Sequence, residues 1–233
     1  TRTIEGNPVT SFYGFKTAGI FQSDLEVLQH INGEGLQLQP DAAPGDIRFV
    51  DTNGDGVISD ADKTIIGSPL PDWTFGSTIS LAYRNFDFSS LLVGQLGNEV
   101  FNGIGRPDIL TSNRQTFIMD RWTPENPSNS VPRFVANDGN KNYTRPTDLL
   151  NIEDGSFLRI KNIQFGYNFP STMLDKFGCQ NWRIYVSAEN LLTFTKYTGP
   201  DPEVGGTSVR DTGIDRGIYP QARTFRIGTS ITF

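Results

Sequence analysis

The 233-residue chain contains one cysteine, Cys179, and one histidine, His30. These counts exclude a disulfide within the chain and a zinc site built from clustered His and Cys residues. A Ser-His-Asp triad would have to use His30, which lies in a polar stretch. Charged residues make up only 20% of the chain, and a net charge of −6 disfavours general electrostatic binding of nucleic acid.

Long apolar runs are also missing from the sequence, so no transmembrane helix is predicted. Residues 1–30 lack the charged and apolar regions of a signal peptide, and the chain opens in mid-pattern without Met. We therefore expect a fragment of a longer protein. A membrane protein built from strands is not excluded, because a transmembrane strand needs only about 9–11 residues of alternating polarity.

The clearest pattern lies in residues 73–84, where polarity alternates with a period of two. The apolar positions have aromatic residues at both ends and aliphatic residues between them, namely Trp73, Phe75, Ile79, Leu81 and Tyr83. This order is typical of a lipid-facing strand, because amphipathic rings prefer the two water–lipid boundaries.

Similar patterns predict six strands, over residues 11–21, 73–84, 86–101, 157–169, 182–194 and 223–233. Asn85 marks a tight reversal, and a bulge near Lys161 and Asn162 would restore the alternation of the fourth strand. The connections alternate between long and short, with long ones over 22–71, 102–156 and 195–222. Outer-membrane barrels sort their loops in this way.

The predicted fold is therefore all-β, with about six antiparallel strands of a transmembrane β-barrel and long extracellular loops. With an even number of strands, both chain ends lie on the side of the short turns. Short turns are periplasmic in outer-membrane barrels, so the C-terminus is expected in the periplasm. One face of the strands would meet lipid. The other would line a wet lumen with residues that include Arg84, Asp87, Gln95, Glu99, Arg183, Glu189 and Arg226.

One motif is specific: residues 51–62 match the 12-residue loop of an EF-hand. Gly56 stands where the loop bends sharply, and the predicted calcium ligands are Asp51, Asn53, Asp55, the Val57 carbonyl, Ser59 and Asp62. Asp62 is one methylene shorter than the usual Glu, so the ion could be held there by one oxygen or take more water. The alternative is an acidic surface turn without metal.

The flanks of this loop differ from those of an EF-hand pair. Residues 45–50 are typical of a strand, and residues 61–66 allow only a helical turn. The sequence therefore predicts a lone structural calcium loop within the extracellular connection 22–71, and not a calcium sensor.

The remaining candidate sites carry weaker signals. The acidic pairs Asp201/Glu203 and Asp211/Asp215 could act as glycosidase carboxylates, but solvated loop charge is the simpler interpretation. Asn142 begins a glycosylation acceptor sequence, and loop aromatics such as Trp122, Tyr197 and Tyr219 could stack on sugars or pack the loops together.

Five segments together resemble the C-terminal part of the SusC/RagA family of TonB-dependent outer-membrane importers of Bacteroidetes. They are residues 45–51 with the calcium loop, 66–76, 157–167, 187–195 and 199–203, and the C-terminal Phe233 resembles a barrel-assembly signal. The resemblance implies an outer-membrane barrel of about 22 strands with an N-terminal plug. It also implies a SusD-like lipoprotein as partner, energy from TonB through the plug, and import of oligosaccharides or peptides.

Six strands cannot close a pore that holds a plug, so the remaining barrel and the plug would lie outside this chain. We expect a transport protein without enzymatic activity. The main alternative is a secreted calcium-dependent β-sandwich that binds glycans, which would bury the alternating faces and dissolve without detergent. A glycoside hydrolase using loop carboxylates is a third, weaker hypothesis.

Overall fold

The structure, a computed structural model, describes residues 1–105, 115–205 and 208–233. Its strands are β1 (Phe12–Gly14), β2 (Thr17–Ile20), β3 (Ile47–Phe49), β4 (Thr64–Gly67), β5 (Trp73–Tyr83), β6 (Phe86–Leu96), β7 (Glu99–Asn102), β8 (Ile152–Asp154), β9 (Phe157–Asn168), β10 (Asn181–Thr195), β11 (Ile214–Asp215) and β12 (Thr224–Thr232). The helices are α1 (Asp24–Gln29), α2 (Asp148–Asn151) and α3 (Ser171–Phe177), with 3-10 turns at Asp60–Asp62, Thr116–Asp120 and Val209–Asp211. The predicted all-β class is confirmed.

The chain divides into two compact units. We call the first the loop unit, which comprises residues 1–70, 99–153 and 204–217. We call the second the strand unit, which comprises residues 71–98, 154–203 and 218–233.

The strand unit is built on one antiparallel sheet of five strands, in the order β12-β10-β9-β6-β5. Within the described residues the sheet is open, with β5 and β12 at its edges. β5 and β6 form a hairpin in which Tyr83 pairs with Phe86, so Arg84 and Asn85 make the tight turn that the sequence predicted. Arg84 adopts a φ of 53°, the left-handed conformation that two-residue hairpin turns require.

A bulge in β9 sets which side chains share a face. Pairing with β6 passes from Asn162 opposite Leu91 to Ile160 opposite Leu92, so Lys161 is the extra residue. The register with β10 also shifts here, but the three residue steps of β10 from Glu189 to Leu192 face two of β9, so the extra residue of that pair lies on β10, where Asn190 has a φ of 51°. The predicted bulge is confirmed, and it returns Leu158 and Ile160 to the apolar face of the sheet.

The pairing register separates the sheet into two chemically different faces, because directly opposed residues point to the same side. We call one the apolar face; it carries Trp73, Phe75, Ile79, Leu81, Tyr83, Phe86, Phe88, Leu92, Leu96, Leu158, Ile160, Ile163, Phe165, Tyr167, Ile184, Val186, Leu192, Phe194, Phe225, Ile227 and Ile231. Many of these side chains are exposed in the described structure, including Ile227 at 80% and Trp73 at 73%.

The opposite side, which we call the polar face, carries mostly hydroxyl, amide and charged groups. Its members include Thr74, Thr78, Ser80, Asp87, Ser89, Gln95, Arg159, Gln164, Arg183, Tyr185, Ser187, Glu189, Thr193, Thr224, Arg226 and Ser230, with Leu91 and Val93 as apolar exceptions. Two faces of such different chemistry are typical of a sheet that separates an apolar from an aqueous environment.

The prediction of a barrel strand over residues 11–21 is wrong. β1 pairs with β4 and β2 pairs with β3, and neither joins the five-stranded sheet. Phe12, Phe15 and Phe21 are buried, so the apolar residues of this segment serve the interior of the loop unit and follow no period of two. The sheet therefore has five strands and not six.

The predicted strand over 86–101 also ends earlier than expected. Gly97 takes a left-handed φ of 85° and stops β6 at Leu96. The following β7 joins β11 and β8 in a separate three-stranded sheet. Glu99 therefore leaves the polar face on which the sequence placed it, and its carboxylate accepts the Ser68 N–H at 2.7 Å.

Candidate calcium site and polar strand face

The predicted calcium loop, residues 51–62, lies in the loop unit. It follows β3 and ends with the 3-10 turn Asp60–Asp62. Asp51 folds the loop by accepting the N–H groups of Gly54 at 2.7 Å and Gly56 at 2.8 Å. Gly56 has a φ of 82°, a conformation that residues with a Cβ adopt at a cost. The sharp bend at the sixth loop position is thus present as the motif requires.

Asp62 closes the other end of the loop. Its side chain is fully buried, and its two oxygens accept the N–H groups of Thr52 at 2.9 Å and Ser59 at 2.7 Å. Asp55 accepts the Val57 N–H at 3.0 Å through one oxygen and the Asn53 amide at 2.8 Å through the other. The oxygen-bearing side chains of the loop are therefore held in place by its own backbone and amide donors.

The electrostatics place negative charge at this loop. The pKa of Asp51 lies below its usual value, chiefly because the Gly56 N–H donates to it; the Gly54 N–H and the neighbouring Asp62 side chain act in the same direction. The carboxylates of the first and twelfth loop positions are therefore neighbours. A divalent cation would offset the repulsion between two such carboxylates when both are ionised.

The donor set fits a hard cation better than a transition metal. Among the described residues, no three His, Cys, Asp or Glu side chains form a cluster suited to a metal ion. The other ligands that the sequence predicts, the Asn53 amide, the Val57 carbonyl and the Ser59 hydroxyl, are neutral oxygens of the kind that calcium accepts.

A second charged group lies on the polar face of the strand unit, around Arg159. This side chain is 2% exposed, and its guanidinium binds Asp201 at 2.5 Å, Glu203 at 2.7 Å and the Thr193 hydroxyl at 2.8 Å. Burial alone raises the pKa of Asp201, but the N–H groups of Gln221 and Glu203 and the Arg159 guanidinium outweigh it, so the pKa lies below its usual value. The connection that follows β10 is thereby fastened to β9.

The carboxylates considered for glycoside hydrolysis are engaged in structural contacts. Asp201 and Glu203 are paired with Arg159, and Asp211 accepts the Ser208 hydroxyl at 2.9 Å and lies 3.5 Å from Arg216. Asp215 is buried and accepts the Gly217 N–H. None of these arrangements is a pair of carboxylates facing a shared cleft.

Two further ion pairs cross the polar face between strands. Asp87 on β6 binds Arg183 on β10 at 2.5 Å, and Glu189 on β10 binds Arg226 on β12. Four of the charged residues that the sequence assigned to a wet side thus reach partners across the sheet, namely Asp87, Arg183, Glu189 and Arg226. Arg84 lies in the hairpin turn, where its guanidinium stacks on Tyr83.

His30 and Trp122 make contacts within the protein, whereas Tyr219 is exposed. His30 is part-buried, its Nε2 lies 3.1 Å from the Phe49 carbonyl oxygen, and burial lowers its pKa. Trp122 is buried and donates to Gln22 at 2.9 Å, whereas Tyr219 is 88% exposed. Part-buried Cys179 lies just after α3.

Sequence reasoning missed a buried polar network in the loop unit. Asn142 is fully buried, and its amide donates to Asp46 at 2.7 Å and to Asp138 at 3.0 Å, while its oxygen accepts the Ile47 N–H. Arg133 binds Asp46 through two nitrogens. Because Asn142 is buried, it is a structural residue and not an acceptor for a glycan. The only sequence signal for the network is the group of acidic and amide residues between positions 133 and 142.

Replacing Asp138 with Asn is expected to stabilise the protein at pH 7. Burial raises the pKa of Asp138, and the nearby Asp46 charge raises it further. The hydrogen bond from the Asn142 N–H lowers the pKa but does not cancel these two effects. Because the folded-state pKa is raised, stability falls as pH rises from about 4 through that pKa. Urea unfolding should show a larger gain for Asp138→Asn at pH 7 than at pH 4. Equal gains at both values, or a matching gain for the exposed Asp41→Asn, would refute this.

Comparison with known proteins places the chain among bacterial receptors. No family model matches it. It is 36% identical over 241 residues to TonB-dependent receptor P3 of Formosa agariphila, covering 98% of this chain and 22% of that protein. It is 33% identical over 186 residues to TonB-dependent receptor SusC of Bacteroides thetaiotaomicron, covering 79% and 17%. The chain thus spans about a fifth of the length of these relatives.

Solved structures share the fold. A chain of the RagAB peptide importer in the open-open state aligns with a TM-score of 0.68 and 22% identity, covering 96% of this chain and 22% of that chain. The RagAB peptide transporter gives a TM-score of 0.67 with 24% identity. No helix among the described residues is both long and apolar enough to span a membrane.

Proposed function

The chain belongs, as one segment, to the SusC/RagA group of TonB-dependent receptors, and we propose that it forms part of the wall and loops of an outer-membrane nutrient importer. The observation that carries the proposal is the division of the five-stranded sheet into an exposed apolar face and an ion-paired polar face. Hydrocarbon is the solvent that suits the first face, and a water-filled lumen suits the second.

The rest of the importer would be supplied from outside the chain. Lipid does not tolerate unpaired strand edges, so the remaining barrel would continue the sheet beyond β5 and β12. A plug domain would fill the lumen and contact TonB, and a SusD-like lipoprotein would cover the long extracellular loops, with the C-terminus in the periplasm. The relatives named SusC and RagAB support this arrangement.

The cargo would be an oligosaccharide or a peptide. We expect the full-length protein to restore uptake of a radiolabelled glycan or peptide mixture to cells that lack it, and a strain without TonB to lose that uptake. Uptake that persists without TonB would contradict the proposal. A secreted glycan-binding sandwich is less well supported, because it would have to cover the apolar face with a second sheet.

We also propose that residues 51–62 bind one calcium ion that stiffens the first long loop. Asp51, Asn53, Asp55, Val57, Ser59 and Asp62 would hold it, and the backbone contacts of Asp51 and Asp62 support this assignment. The ion would supply no reaction. Its charge would offset the acidic side chains that the fold brings together.

Loss of one carboxylate ligand should weaken calcium binding at least about tenfold. The variant is Asp55→Asn, because this exposed side chain can change without disturbing buried Asp62. The matched control is Asp60→Asn, which removes the same charge at a position that is no ligand and pairs with Lys63. Calorimetric titration of the full-length, chelator-treated protein should show the calcium affinity lowered by at least that factor for Asp55→Asn and unchanged for Asp60→Asn. Equal binding by both variants, or no binding at millimolar calcium, would refute the site.

A further inference from the structure

The loop unit contains a cavity of about 710 Å³ whose charge is of one sign. Arg145 and Arg216 line it, and none of its described lining residues is Asp or Glu. Tyr13, Phe101 and Tyr143 contribute aromatic rings to the same wall. In a chain with a net charge of −6, this is a local concentration of positive charge beside apolar surface.

Arg145 is the more buried of the two cations. Its guanidinium lies over the rings of Phe15 at 4.8 Å and Phe49 at 4.9 Å. Within the described part of the chain it forms no salt bridge, although Asp60 and Asp62 act on it at longer range. The centroids of these two rings lie 5.5 Å apart, so both rings are on one side of the guanidinium, and the N–H groups directed away from them are the ones available for a carboxylate.

Arg216 adds a second, more exposed charge. Its side chain is 70% exposed, and its nearest carboxylate, on Asp211, lies 3.5 Å away, beyond ordinary hydrogen-bond length. An exposed pair of this kind is weak and can exchange for a ligand carboxylate. The cavity therefore offers one part-buried and one exposed guanidinium.

We propose that this cavity binds an anionic group of the imported cargo, a carboxylate carried by a sugar or a peptide. The inference rests on the proposed import function. Guanidinium groups bind carboxylates through paired hydrogen bonds, and the aromatic rings would pack against the rest of the ligand. The volume lies in the range of small-ligand sites, about 300–1,000 Å³, so a short end of the cargo enters and not a whole polymer.

The test measures binding to the purified full-length transporter by calorimetry. The probes are trigalacturonate and the neutral maltotriose, and the tripeptides Ala-Glu-Ala and Ala-Gln-Ala, both N-acetylated and C-terminally amidated so that only the glutamate side chain carries a charge. At least one acidic probe should bind at least about tenfold more tightly than its neutral partner. Arg145→Gln should remove that preference, Arg145→Lys should restore part of it, and Arg223→Gln, at an exposed arginine of the strand unit, should leave it intact.

The acidic probe that binds identifies a sugar or a peptide as the source of the carboxylate. Absence of any acidic preference in the wild type, or an unchanged preference in correctly folded Arg145→Gln, would overturn the proposal. If TonB-dependent uptake occurs while the preference is absent, only the cavity assignment fails. If the wild type supports no uptake, the import function itself fails, whatever the probes bind.

Discussion

Arginine in place of Val186 is expected to destabilise the folded protein in a bilayer by about 2–4 kcal/mol, the cost of a cation on the lipid face near the midplane. Val186 lies on β10 between Phe165 of β9 and Ile227 of β12, and it is 49% exposed. An arginine on that face would lose its hydration, because water is absent from the hydrocarbon. Urea unfolding of the full-length protein in phospholipid vesicles measures the change.

The matched control for this substitution is Ser89→Arg. Ser89 lies on β6, on the polar face opposite Gln164, at nearly the same level of the sheet. The same arginine placed there would meet water and polar neighbours, and we expect less than about 1 kcal/mol of destabilisation. Equal costs at the two positions would show that the two faces do not see different solvents.

Replacing Arg159 with Met is expected to cost about 3–5 kcal/mol, because it leaves buried Asp201 ionised without its guanidinium partner. Glu203 and the Thr193 hydroxyl lose their contacts as well. The connection between β10 and β12 should then loosen, and limited proteolysis should cut it sooner. Chemical unfolding and protease susceptibility of the full-length protein measure the two effects.

Two controls separate lost pairing from lost packing. Arg226→Met breaks the pair with Glu189, but Arg226 is 57% exposed, so the cost should stay below about 1 kcal/mol. Adding Asp201→Asn to Arg159→Met removes the unpaired charge and should recover part of the loss. If Arg159→Met costs no more than Arg226→Met, the buried pair does not fasten this connection.

The strands that the sequence predicted best are those of the five-stranded sheet whose apolar face packs against no core of the described structure. Polarity alternates almost without exception along β5 and β12, because successive side chains of a strand point to opposite faces and each contacts only the environment of its own face. The hairpin at Arg84 and the bulge at Lys161 were also readable, since each resets the phase of a period of two.

The loop unit was much less predictable. Phe12 and Phe15 are buried in its interior, where contacts come from residues distant in the chain, so neighbouring positions are apolar without any period. The ligand positions of the calcium loop could be named because they are local. The network of Asp46, Arg133 and Asn142 could not, because nearly a hundred residues separate its parts.

Lipid contact along β10 tests the central claim most directly. In a full-length protein with Cys179 replaced by Ser, single cysteines at Ile184, Tyr185, Val186 and Ser187 would carry a bimane fluorophore. Brominated lipids should quench the label strongly at Ile184 and Val186 and weakly at Tyr185 and Ser187, because the first pair lies on the apolar face. Quenching that does not alternate, or that is strongest at Tyr185 and Ser187, would contradict the account.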